Sequence, residues 1–182
     1  MKRYSSTLHP YNSILTPTYS LLAVVLFVAL ATVVSGQAGG QTGCSSAYVV
    51  TTPLNPTPFT VLSNNENAQP LSSNPCTNIS PSSSGSVWYT LTPTAGAVVT
   101  LSTCEPGTNF DTTISVFIGG CSALECVTSS DSSSCQATST HAEIKFLAQG
   151  STYYIAVGGN SNAKGKYNFG IFFNYLSIFN LF

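Results

Sequence analysis

The chain has 182 residues, only 6% of them charged, with five Lys and Arg against six Asp and Glu. That length holds one domain plus extensions. So few cations cannot neutralise a phosphate backbone, which excludes nucleic acid as a partner.

Lys2 and Arg3 precede a polar, Pro-containing stretch and then the unbroken apolar run LLAVVLFVALATVV, Leu21 to Val34, which small residues follow. A basic start, a short apolar core and small residues at its end describe a secretory signal peptide. We expect a signal-peptide helix over 1–36, cleaved after Gly36, and a linker over 37–43. The run is shorter than the ~20 residues of a spanning helix. The alternative is an uncleaved signal anchor, the one route by which the chain would meet a membrane. Cleavage removes Lys2 and Arg3, leaving three cations against six acids and a net charge of −3.

Cys44, Cys76, Cys104, Cys121, Cys126 and Cys135 all lie beyond the signal. An even number in an exported chain reads as three disulfides, although six cysteines allow fifteen pairings. The expected set joins Cys44 to Cys76, Cys104 to Cys135 and Cys121 to Cys126. Zinc is the competing reading, but the Cys121–Cys126 spacing is too wide for a knuckle and only His141 is at hand to assist. Asn78-Ile79-Ser80 is an N-glycosylation triplet, expected on the surface.

From Ala47 onward the period is two rather than 3.6, so the domain, 44–173, is expected to be all-β. AYVVTT and PFTVLS are the first extended stretches, and a long polar loop holding Cys76 follows. SVWYTLTP turns Val87, Tyr89 and Leu91 one way and Trp88 and Thr90 the other. AVVTLSTC repeats the rhythm with Val99 and Leu101, and TISVFIGG sets Ile114, Val116 and Ile118 on one face. Gly119-Gly120 then reads as a turn into the return strand LECVTS. HAEIKFLAQG points Ala142, Ile144 and Phe146 inward, with Glu143 and Lys145 outward. STYYIAVGG and KYNFGIFF close the domain with Tyr153, Ile155 and Val157, then Tyr167, Phe169, Ile171 and Phe173. Nine short strands between turn signals predict an antiparallel β-sandwich or barrel. An apolar tail, 174–182, is too short to cross a bilayer.

SVWYTLTP, VTLSTC, NFDTTISVFIGGCSALECV, STYYIAVGG and GKYNFGI, in that order, resemble the bacterial pre-peptidase C-terminal domain family. The resemblance runs from about Cys44 to Phe173. It implies a jelly-roll-like β-sandwich that accompanies proteases and other exported proteins without performing their chemistry. Some relatives bind calcium or an extracellular polymer. Members often carry a pair of acids in the loop after the return strand, whereas this chain has only Asp131 there.

Asp111, at the start of an apolar strand, has carboxylate oxygens suited to backbone N–H groups ahead of Thr112 and Thr113, and Asn109 is suited to the same task. The resemblance favours that capping role, since it places the Asp in copies with no catalytic task. The rival reading makes Asn109, Asp111 and Asp131 calcium ligands, the one cofactor in view, although a hard cation wants several more oxygens. Catalysis has less support. A triad of His141, Asp111 and a serine lacks a Gly-x-Ser-x-Gly elbow, and Glu105, Glu125 and Glu143 read as turn or solvent-face residues. Trp88, Tyr154, Phe117 and Phe172 point away from the core face. Such rings form either a platform for sugars or a partner protein or the underside of a covering loop. We therefore expect a non-catalytic, secreted or cell-surface module binding an extracellular glycan or protein, with Trp88, Tyr154 and Phe117 marking the surface if they are exposed together. The alternatives are a structural wall or matrix component and an accessory domain of an extracellular hydrolase system.

Overall fold

The structure is a computed structural model that describes residues 42–51, 58–71, 74–77, 79, 84–131, 135 and 140–175. The signal peptide, most of the linker, Asn78 and most of the tail therefore lie outside the described residues. A single 3-10 turn, Cys44–Ser46, opens the domain. The strands are β1 (Tyr48–Val50), β2 (Phe59–Asn64), β3 (Val87–Leu91), β4 (Ala97–Ser102), β5 (Thr112–Gly120), β6 (Ala123–Ser130), β7 (Glu143–Leu147), β8 (Tyr153–Gly159) and β9 (Lys166–Tyr175).

They form two sheets. Sheet A has the order β2-β9-β4-β7 and sheet B the order β1-β3-β8-β5-β6. Every pairing is antiparallel except β1 with β3, which is parallel. The inner faces meet in one core built from the residues that the alternation selects: Val87, Tyr89 and Leu91 of β3, Val99 and Leu101 of β4, Ile114 and Val116 of β5, Ile144 of β7, and the odd-numbered apolar positions of β8 and β9. This is the β-sandwich expected from a period of two.

Two local expectations change, and one detail is new. The β5–β6 turn is Cys121-Ser122, not Gly119-Gly120. Gly119 is still needed, because its φ of 91° lies in the left-handed region and a Cβ there would meet Ala123 O at 2.5 Å. Val127 is bulged out of the β5–β6 ladder, where the register steps from Val116↔Thr128 to Phe117↔Cys126. Finally, β9 runs on to Tyr175, two residues past the expected domain end.

The disulfides join Cys44 to Cys121, Cys76 to Cys126 and Cys104 to Cys135, with Cα–Cα separations of 5.6, 5.1 and 5.7 Å. Only the last matches the expected set. Cys121 lies in the hairpin turn and Cys126 within β6, and each is bridged to a different segment that lies over sheet B rather than to the other.

Candidate functional site

The two outer faces differ. Across sheet B, Trp88, Phe117 and Ala156 pack with Cys76 into a second apolar cluster, which Cys44, Ala47, Leu71, Leu124 and Tyr154 surround. The Trp88 and Phe117 rings lie 5.7 Å apart, centroid to centroid. Both are buried, at 4% and 0% exposure, and Tyr154 is half-buried. Of the two readings drawn from the sequence, Trp88 and Phe117 therefore follow the covered one, not the exposed platform. The turn at Cys44 and the loop bearing Leu71 and Cys76 lie over them, and two disulfides tie both segments to the β5–β6 hairpin.

Sheet A carries a trough of about 450 Å³ on its outer face. Its floor is β4, where Thr100 and Ser102 are short. One wall is β9, with Phe172 and Asn174, and the other is β7, with Glu143 and Lys145. Register places these residues side by side: Thr100 lies opposite both Phe172 and Lys145, and Ser102 opposite both Gly170 and Glu143. Glycine at 170 matters here, because a Cβ would stand 2.7 Å from Phe172 Cε2. Without it the ring leans back over the sheet.

Cys104 and Glu105 close one end of the trough. Asn168 Nδ2 donates to Pro106 O at 3.3 Å, and Thr108 Oγ1 donates to Thr103 O at 2.7 Å while accepting from Asn168 N at 3.1 Å. The loop is thereby fastened beside β9. Lys145 Nζ and Glu143 Oε1 pair at 3.2 Å, which leaves Glu105 as the trough's uncompensated carboxylate. Ser102 Oγ accepts from Cys104 N at 3.1 Å and keeps its own proton for another acceptor.

The residues expected to hold calcium are occupied otherwise. Asn109 Oδ1 accepts from Lys166 N at 2.9 Å. Asp111 Oδ2 accepts from Asn160 Nδ2 at 3.1 Å, and Asp111 O from Asn160 N at 2.9 Å. Asp111 is thus a clasp on the turn after β8, not a cap on its own strand. Its Oδ1 is buried without a partner. Asp131 follows β6, and no group of three His, Cys, Asp or Glu among the described residues is placed to hold a metal. One spare oxygen is far short of the six to eight that calcium takes, so these residues do not fit the ion. Among the described residues His141 is partly buried and has no hydrogen bond to an acid or a hydroxyl.

Sequence reasoning missed the meeting of Glu105 and Glu143 with Phe172. It also missed Asn65, fully buried, whose Nδ2 donates to Gly85 O at 3.1 Å and Ala163 O at 3.3 Å while Oδ1 accepts from Gly165 N at 2.9 Å. A polar loop residue gives no local signal for such a role.

Comparison with protein-family models gives no match, and neither does comparison with curated proteins. Similar solved structures include the pre-peptidase C-terminal domain of a collagenase from Bacillus anthracis, 14% identical over 70% of this chain and 94% of that one, with a TM-score of 0.41. Another is PliG of Aeromonas hydrophila, a periplasmic lysozyme inhibitor of g-type lysozyme, 10% identical over 70% of this chain and 97% of that one, at TM-score 0.40. Likenesses this distant leave the role of the fold to be read from its own surface. No helix among the described residues is long and apolar enough to cross a membrane. Three disulfides fit an exported protein.

Proposed function

We propose that the chain is an exported, non-catalytic β-sandwich of the pre-peptidase C-terminal type that binds an extracellular glycan or protein through the outer face of sheet A. The observation that carries this reading is the contrast between the faces among the described residues: one is roofed and cross-linked, the other is open and holds a shaped trough with an aromatic wall. A pocket with a few convergent polar groups beside an aromatic ring is the usual form of a binding site. The burial of Trp88 and Phe117 favours a second reading, a durable structural component of a wall or matrix.

The test is retention of the oxidised protein on extracellular polysaccharides and proteins. A polyethylene glycol chain is attached through Leu147→Cys beside the trough, or through Val49→Cys on the sheet B side; both positions are exposed, at 49% and 67%. Retention abolished by the first label and kept with the second supports the proposal. The opposite pattern overturns it, no retention by the unlabelled protein favours the structural role, and shortened polysaccharide after incubation overturns the non-catalytic reading.

A further inference from the structure

We infer that the trough on sheet A takes an uncharged polysaccharide chain lying along β4, with one pyranose ring stacked on Phe172; this rests on the binding role proposed above. Three observations favour that occupant over a peptide or an anionic polymer.

The first is topological. β4 and β9, which form the floor and one wall, are both internal strands of the order β2-β9-β4-β7. Their backbone N–H and C=O groups are spent on their neighbours. β7 ends the sheet, but its unpaired side faces away from β4, so an extended peptide lying over β4 does not meet it, and edge pairing is what gives such peptides their affinity. A saccharide brings hydroxyls, each both donor and acceptor, and the trough answers with side chains: the carboxylates of Glu105 and Glu143, the Asn174 amide and the Ser102 and Thr100 hydroxyls.

The second is charge. Glu143 is matched by Lys145 at 3.2 Å and Glu105 is unmatched in the trough, which therefore carries a net negative charge. Sulfated and uronic acid chains are repelled.

The third is shape. Thr100 and Ser102 are short, whereas Phe172, Glu143 and Lys145 flank them on either side, so the depression follows the strand over these two positions, about 7 Å apart at ~3.3 Å per residue, and on to Cys104 and Glu105. Phe172 is half-buried and leans over Gly170. Its rotamer is restricted before ligand arrives, which lowers the ordering cost of stacking.

The experiment is calorimetric titration of the oxidised protein with uncharged hexasaccharides of glucose, mannose and N-acetylglucosamine, and with a hexauronate and a sulfated hexasaccharide. At least one uncharged probe binds, and the charged ones bind at least tenfold more weakly. Phe172→Ala loses at least tenfold in affinity and Phe172→Trp keeps it, with far-ultraviolet circular dichroism reporting that each variant is folded. Glu105→Lys, on the rim, reverses the preference toward the charged probes and keeps the test alive if Phe172→Ala does not fold. Unchanged affinity in folded Phe172→Ala, or a wild-type preference for the charged probes, overturns the inference. Retention of an extracellular protein through sheet A with no saccharide bound overturns it too, and leaves the broader binding role standing.

Discussion

The hydroxyls of Tyr89 and Tyr167 meet at 2.9 Å inside the sandwich, one from each sheet, with no exposure to solvent. Burial pushes the Tyr89 phenol up to about 12, and burial followed by the neighbouring Tyr89 holds that of Tyr167 well above its ordinary value. Both stay protonated in the folded chain while the unfolded chain ionises near pH 10. Their contribution is therefore intact below pH 10 and drains away between about pH 10 and 12. Denaturant titration across that range should show falling stability, and the fall should be smaller in the double variant Tyr89→Phe/Tyr167→Phe. A decline of equal size in that variant would assign the alkaline loss to other groups.

Tyr89→Phe alone leaves the Tyr167 hydroxyl without its partner. It should destabilise by about 1–3 kcal/mol, whereas the double variant recovers much of that loss, since removing both polar groups spares the penalty of one orphan. A thermodynamic cycle of the two singles and the double measures it.

Reduction should open the roof of sheet B before it unfolds the sandwich. Two disulfides hold that roof, and the main core contains no cysteine. Trp88 is the one tryptophan of the chain, so its emission should shift to the red with a dithiol reductant while the far-ultraviolet β signal persists. Simultaneous loss of both signals would mean that the bridges support the entire fold.

Asn65→Ala removes a side chain that joins three segments and leaves Gly165 N, Gly85 O and Ala163 O to find other partners. Each such orphan is worth about 1–3 kcal/mol, so the variant should melt far below the parent. Asn65→Asp, which keeps the acceptor for Gly165, should fall in between.

Asp111→Ala should lower stability by about 1–2 kcal/mol by freeing the Asn160 amide. Chelation of the parent should leave its melting temperature unchanged. A chelator-dependent drop that vanishes in Asp111→Ala would restore a calcium role.

The strands were legible because each inner face repeats every second residue, and burial makes that repeat obligatory: Tyr167, Phe169, Ile171 and Phe173 have no alternative arrangement that hides them all. Outward direction was equally legible for Trp88, Phe117 and Phe172. What covers an outward ring was not, since Cys44 and Leu71 reach Trp88 through loops whose course no periodicity records. The disulfide error has the same root, for the segments that carry Cys44 and Cys76 to the β5–β6 hairpin leave no periodic signal. The trough was hidden for another reason. Thr100, Glu143 and Phe172 meet only through the β4–β7 and β4–β9 registers, and alternation fixes which face a residue takes but not which residue stands opposite.

Sheet B ends at β6, the kind of border along which soluble β-proteins zip into fibres. Here the bulge at Val127 interrupts the regular spacing of the strand, Glu125 sets a charge on the rim, and the Cys76 bridge occupies the middle. A second molecule finds no straight template there. Along this border, the cross-link that fastens the roof also hinders the edge-to-edge addition of another copy.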